Sequence, residues 1–243
     1  MTKGYKNEYD FAKAINNKKY SDLKNPLKNF VKFIFDDVKN ENILKCKRYG
    51  TYDKADVYIE LNGERKNISI KSGQRVSVHA EIISSFTEYL KKIHINKTII
   101  DYLLLYHYGD YTLNGKGKVR LTAKELKIIY EKEINLFNKY VNHKNIIRKI
   151  IIRCLFEGTS KENIADYIYY GTVQDGVYAS REEITKYLCN ANVKNIPAPH
   201  FSLLIYQNWN RNIVDNKKLE SHRYYCQFKW PSILEDLQNI RNK

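Results

Sequence analysis

Between Ala55 and Lys71 the chain reads ADVYIELNGERKNISIK, two runs of alternating apolar and polar residues on either side of Asn62-Gly63. Asn-Gly supplies the positive backbone angles of a tight reversal whose twist matches its flanking strands, so the stretch predicts a β-hairpin. With a two-residue turn Leu61 faces Glu64, Asp56 lies opposite Ser69, and Lys71 sits two residues further along that same face. Val57, Ile59, Ile68 and Ile70 then point the other way, into a core. A four-residue loop would slide the pairing to Asp56 opposite Lys71, yet the three polar side chains would still share one face.

The surrounding pattern alternates helices and strands. A helix is predicted from about Asn7 to Lys18, with Phe11, Ala12 and Ile15 on one face and Glu8 in the same stripe. A second runs from Leu27 to Val38. Beyond Lys71 a loop, SGQRVSVHAE, leads into a helix carrying Ile82, Ile83, Phe86 and Leu90, followed by a strand-like apolar run, IIDYLLLYHY. Three capping boxes, Thr122 with Glu125, Thr159 with Glu162 and Ser180 with Glu183, predict a helical middle. Strands return at FSLLIYQ (201–207) and RYYCQFKW (223–230), joined by the polar stretch NWNRNIVDNKKLESH. The expected organisation is one domain over 1–243, with a core at 1–115, a helical lobe at 116–195 and C-terminal strands at 196–243.

The formal net charge is +15, Lys and Arg outnumbering Asp and Glu by 42 to 27, and a field of that sign attracts polyanions. Part of the surplus is also what a bias toward Lys, Asn, Ile and Tyr, amino acids of A/T-rich codons, produces; the charge therefore speaks to association and not to fold. No apolar run reaches the ~18 residues of a membrane span, and the start, MTKGYKNEYDF, lacks a signal or transit pattern, so the cytoplasm is the expected address. Cys46, Cys154, Cys189 and Cys226 stand far apart without a CxxC pair, which argues for reduced thiols and against zinc or disulfide frameworks.

A carboxylate and a lysine converging on one sheet face suit metal-assisted phosphodiester cleavage. Asp56 offers a hard oxygen ligand for Mg²⁺, with Mn²⁺ a possible substitute, while Lys71 can orient an attacking water and offset charge on the phosphate. Glu8, a carboxylate on an apolar helix face, is explained if it approaches the same metal. Each residue also has an ordinary reading: Asp56 and Lys71 as a cross-strand ion pair, Glu8 as a residue of the first helical turn.

These residues resemble a family. Asp56, twelve intervening residues, then Ser69-Ile70-Lys71 is similar to the PD-(D/E)xK nuclease core, with Glu8 matching the glutamate many members place on the first helix. The departure is Ser69, where the family usually has an acid, and it removes one metal carboxylate. GYKNEYDFAKAINN, the ADVYIEL and ISIKSG blocks, and CQFKWPSILEDL together resemble the small type II restriction endonucleases of the HinP/Msp kind, in which a neutral residue at that position also occurs.

The resemblance implies an α/β restriction-endonuclease-like core, a mixed central sheet flanked by helices, with a helical insertion near 122–190 and a C-terminal β-ribbon region. It implies catalytic roles for Glu8, Asp56, Ser69 and Lys71, and a metal ligand set of Asp56, Ser69, Glu8 and the Ile70 carbonyl. Glu81 is a further candidate for the missing acid, because some restriction enzymes with Ser at that position recruit a glutamate from the following helix. Its ordinary reading is a first-turn glutamate that complements the helix dipole. His79 and His200 lack metal-ligand spacing and read as structural.

Reading DNA sequence requires side chains that reach base edges. Gln207, Asn208, Trp209, Asn210 and Arg211 form one candidate stretch, and Lys217, Lys218, His222 and Arg223 another. Gln74 and Arg75, just after Lys71, are placed to touch phosphates. A solvated polar loop would share this composition. The expected function is Mg²⁺-dependent cleavage of double-stranded DNA at a short, palindromic site, by a monomer or homodimer with a cognate DNA methyltransferase as its genetic partner. A repair or recombination nuclease of the same fold, or a non-catalytic DNA-binding module with a degenerate core, would use the same scaffold.

Overall fold

In a computed structural model, residues 3–50, 53–74, 76–159, 162–193, 196–208 and 222–242 are described. Helix α1 (Lys3–Ile15), strand β1 (Lys18–Lys19), helix α2 (Asn25–Ile34) and strand β2 (Ile43–Arg48) lead into the hairpin of β3 (Val57–Leu61) and β4 (Glu64–Lys71). Strand β5 (Val76–Ile82) precedes five helices: α3 (Ile83–Lys92), α4 (Lys97–Tyr108), α5 (Ala123–Ile129), α6 (Glu131–Val141) and α7 (Lys144–Ile152). A second hairpin, β6 (Tyr167–Gly171) and β7 (Gly176–Ser180), is followed by α8 (Arg181–Cys189), β8 (His200–Phe201), β9 (Leu204–Asn208), β10 (Tyr225–Trp230) and α9 (Ile233–Arg241).

The chain forms two compact units, one of residues 1–76, 152–187 and 232–243, the other of 77–151 and 188–231. The first is built on a mixed six-stranded sheet in the order β1-β2-β3-β4-β6-β7, antiparallel except where β4 runs parallel to β6. This is the expected fold class, a mixed sheet flanked by helices. Leu27, Phe30, Val31 and Ile34 recur at helical spacing on α2 and are buried, as are Phe11 and Ile15 on α1. They pack with Val57, Ile59, Ile68, Ile70 and Tyr169 from one face of the sheet. Asn17, at φ 58, ends α1 before the expected Lys18, and Lys18 and Lys19 pair with β2 instead.

The second unit holds a four-stranded sheet ordered β5-β10-β9-β8. Its core gathers Phe86, Phe201 and Phe228, whose rings meet at centroid distances of 4.9–5.6 Å. No helix among the described residues is long and apolar enough to cross a membrane.

Three expectations from sequence are corrected. IIDYLLLYHY lies in helix α4 and not in a strand: Asn96 caps it by accepting from the Thr98 amide at 2.8 Å, Gly109 closes it at φ 58, and Ile100, Leu103, Tyr106 and His107 are buried at helical intervals. The β-prone composition was overruled by packing, which a continuous apolar run satisfies with either period. The segment Val76–Ile82 is strand β5, not a loop and helix start, because its Val76-Ser77-Val78 alternation is used by a strand more than a hundred residues away. The helical stretch near 122–190 is interrupted by β6 and β7, and residues 162–166, after the Thr159 and Glu162 pair, are not helical. The aromatic run Tyr167–Tyr170 finds partners in the central sheet that no local cap could outweigh. The boxes at Thr122 and Ser180 do start α5 and α8.

Candidate active site

The turn holds to two residues. Asn62 and Gly63 adopt φ 51 and φ 86, Leu61 pairs with Glu64, and Val57 pairs with Ile68. That register sets Asp56, whose amide donates to the Ile68 carbonyl at 2.9 Å, beside Ser69. Three donors meet one carboxylate oxygen: Asp56 Oδ2 accepts from Ser69 Oγ at 3.1 Å, the Ile70 amide at 2.5 Å and Lys71 Nζ at 3.1 Å. Lys71 Nζ also donates to the Ile70 carbonyl at 3.1 Å. Ser69 is fully buried, whereas the Asp56 and Lys71 side chains keep 20% and 17% of their surface exposed, enough for a small ligand to reach them. Asp56 Oδ1 accepts no hydrogen bond from the described residues.

Glu8 arrives from α1. Burial raises its pKa above the ordinary carboxylate value, the charge of Asp56 adds to the rise, and Arg48 and Lys71 pull the other way. Arg48 Nη2 donates to Glu8 Oε2 at 3.1 Å, and its guanidinium lies 3.7 Å from the Tyr5 ring centroid. Sequence reasoning missed Arg48. Its signal was parity: on β2 it follows the buried Leu44 and Cys46 at two-residue spacing, a cation on the core-facing side of a strand.

The arrangement suits a hard divalent cation. Mg²⁺ takes one or two protein carboxylates and fills its remaining positions with water and phosphate oxygens. Here one oxygen of Asp56 is open, a second carboxylate close enough to feel its charge stands on α1, and Lys71 occupies the cationic position beside Oδ2. Among the described residues no group of three or more His, Cys, Asp and Glu side chains could hold a metal, so a cation here would depend on neutral oxygens such as Ser69 Oγ and the Ile70 carbonyl.

The structure thus brings together Glu8, Asp56, Ser69, Ile70 and Lys71. Gln74 is exposed beyond Gly73, whose carbonyl accepts from the Tyr170 hydroxyl at 2.6 Å. Glu81 sits on β5 in the second unit, buried, hydrogen-bonded by Ser85 Oγ at 2.7 Å and to His79 Nε2 at 2.9 Å. His200 Nδ1 lies 3.1 Å from the Ser202 carbonyl. Gln207 is half-buried on β9, facing Gln227 across the ribbon with β10. Asn208 is buried and donates to the His107 carbonyl at 2.9 Å, and Arg223 forms a close ion pair with Asp110. Arg75, Trp209, Asn210, Arg211, Lys217 and Lys218 lie outside the described residues.

The mixed sheet flanked by helices, whose central hairpin carries an aspartate and a lysine at one end, matches the fold of a solved restriction endonuclease. The chain is similar to the crystal structure of restriction endonuclease MspI in complex with its cognate DNA, with a TM-score of 0.59 over 91% of this chain and 87% of that one. Sequence identity is 10%, so the likeness is one of fold. No protein-family model matches the chain, and no curated protein does.

Proposed function

We propose that this protein is a metal-dependent endonuclease that hydrolyses phosphodiester bonds of double-stranded DNA at a short palindromic site, a type II restriction enzyme of the HinP/Msp kind. The observation that carries the reading is the convergence of Asp56 and Lys71, 3.1 Å apart, with the other aspartate oxygen accepting no hydrogen bond from the described residues. The likeness in fold to a restriction endonuclease bound to its DNA supports it.

Asp56, Glu8, Ser69 and the Ile70 carbonyl are the residues that would hold Mg²⁺ or Mn²⁺. When bound, such an ion supplies Lewis-acid stabilisation of the phosphate and a more acidic water. Lys71 shares its ammonium between Asp56 Oδ2 and the Ile70 carbonyl and keeps one further donor, which would serve an attacking water or a phosphate oxygen. Ser69 and the Ile70 amide hold the same oxygen of Asp56 that Lys71 pairs with, which fixes the orientation of the carboxylate. Arg48 holds Glu8 toward the same end of the sheet. Gln74 and Gln207, with Arg75, Trp209, Asn210, Arg211, Lys217 and Lys218, are the proposed DNA contacts, and a cognate methyltransferase is the proposed genetic partner.

Digestion of a supercoiled plasmid with Mg²⁺ tests the reading. Discrete fragments with a single end sequence are expected, and Lys71→Ala should bind DNA but not cut it. Attack confined to ends or junctions would point to a repair nuclease. The neutral Ser69 and the small acid count favour one other reading, a DNA-binding module; wild-type protein that binds yet cuts with neither Mg²⁺ nor Mn²⁺ would establish it.

A further inference from the structure

The loop from Gly109 to Leu121, between α4 and α5 in the second unit, is folded around a buried aspartate. Asp110 has no exposed side-chain surface. Its Oδ1 accepts from the Thr112 amide at 3.0 Å and the Thr112 hydroxyl at 2.8 Å; its Oδ2 accepts from the Gly117 amide at 2.9 Å and pairs with Arg120 and Arg223. Thr112 Oγ1 takes the Gly115 amide, and the Leu121 amide closes the loop on the Gly109 carbonyl at 2.8 Å. Two glycines are sterically required. A Cβ at Gly117 would stand 2.2 Å from the Asp110 carbonyl oxygen, and one at Gly115 would stand 2.6 Å from the Tyr108 ring.

Desolvating an aspartate and two arginines is expensive, and an apolar plug would hold a loop at lower cost. What the ionic hub adds is a fixed shape. That shape presents Tyr111, Leu113, Asn114, Lys116, Lys118 and Val119 to solvent, with Tyr111 held at φ 64, a conformation uncommon outside glycine. Neither Lys116 nor Lys118 has an ion-pair partner among the described residues, and no acidic side chain is exposed between Gly109 and Leu121. A rigid surface with two free ammonium groups next to apolar side chains fits a sugar–phosphate backbone: lysines neutralise phosphates, apolar groups rest on deoxyriboses, and the ordering entropy is spent before binding.

We propose that the Gly109–Leu121 loop is a prebuilt clamp for the duplex DNA backbone, in which Lys116 and Lys118 each neutralise one phosphate. This rests on the proposed function, because it takes DNA as the substrate, and it adds a backbone contact that no recognition stretch in the sequence signalled. It also gives Arg223 a role as an anchor beneath the clamp.

The test measures affinity for a fluorescent duplex by anisotropy in EDTA, where no cleavage interferes, as salt is raised. Each phosphate contact contributes about 0.9 to the slope of log K against log salt, so Lys116→Ala/Lys118→Ala should be shallower by about 1.8. Between about 50 and 200 mM salt the wild type should then lose ~12-fold more affinity than the variant. Lys116→Arg/Lys118→Arg should keep the wild-type slope. Lys91→Ala/Lys92→Ala, the same loss of charge from the exposed end of α3, should keep it too. An unchanged slope in the loop variant, or an equal drop in the α3 variant, overturns the clamp while leaving the nuclease reading standing. A wild type that binds no DNA overturns both.

Discussion

Asp56 and Asp110 are both packed beside basic side chains, one in each unit, yet they are satisfied differently. Asp110 divides its donors between both oxygens, two on Oδ1 and three on Oδ2, and none of its side chain is exposed. Among the described residues Asp56 takes all three of its donors on Oδ2 and none on Oδ1, with a second carboxylate, Glu8, near enough to feel its charge. A saturated carboxylate has no coordination capacity left and serves geometry. One saturated on a single side, next to another acid, keeps an oxygen at which a further cation could sit.

The sharpest way to break this contrast is to remove a cation from each aspartate. Lys71→Ala should lower cleavage by roughly 10³-fold or more, the scale of a group that meets charge developing at the phosphate, with little change in duplex affinity or melting temperature. Single-turnover digestion beside anisotropy separates the two effects. Arg223→Ala should do the reverse. It leaves Asp110 buried with one partner fewer, and unfolding in urea should show a loss of about 3 kcal/mol. If Lys71→Ala unfolds the protein while Arg223→Ala is tolerated, the assignment of roles is inverted.

Acid should expose the same difference. His107, beneath the Asp110 loop, donates from Nε2 to the Arg223 carbonyl at 2.9 Å and accepts at Nδ1 from the Tyr206 hydroxyl at 2.6 Å. A second ring proton would destroy that acceptor, and burial lowers the His107 pKa to about 3. A histidine whose pKa is depressed on folding binds its proton more readily in the unfolded chain, so stability falls as pH drops below the unfolded value near 6.5. Between about pH 7.5 and 5 the loss attributable to His107 should reach ~2 kcal/mol. Urea unfolding of wild type and His107→Gln at both pH values checks it: the variant should have the flatter pH dependence even if it is less stable throughout.

The two aspartates also differ in how far they could be read from the chain. Asp56, Ser69 and Lys71 lie within sixteen residues around an Asn-Gly turn, so parity alone places them on one face, and Glu8 follows from helical spacing. Local geometry carried that part of the site. Arg48 required knowing which face of β2 meets α1. The Asp110 hub depends on Arg223, 113 positions later, and β4 meets β6 across a comparable gap. Pairings of that range leave no periodic trace, and an Asp among Gly, Asn and Lys looks the same whether its loop is ordered or solvated. The helix misread as a strand at IIDYLLLYHY has the same origin: its buried residues are chosen by the elements that cover them.

Glu8 provides the gentlest probe of the open site. Its raised pKa means that the folded protein holds that proton more tightly than the unfolded chain does, so ionised Glu8 opposes folding at neutral pH, and the opposition disappears as pH falls through its folded pKa. Glu8→Gln keeps the shape and removes the charge. Without divalent ions, thermal melting at pH 8 should place the variant slightly above the wild type, and the gap should close on acidification. Adding Mg²⁺ should raise the wild-type melting temperature more than that of Glu8→Gln, because an added cation relieves the repulsion between Glu8 and Asp56 only where both are charged. A variant that melts below the wild type at pH 8, or that gains as much from Mg²⁺, would mean that Arg48 already neutralises Glu8 and that the open oxygen of Asp56 faces the solvent alone.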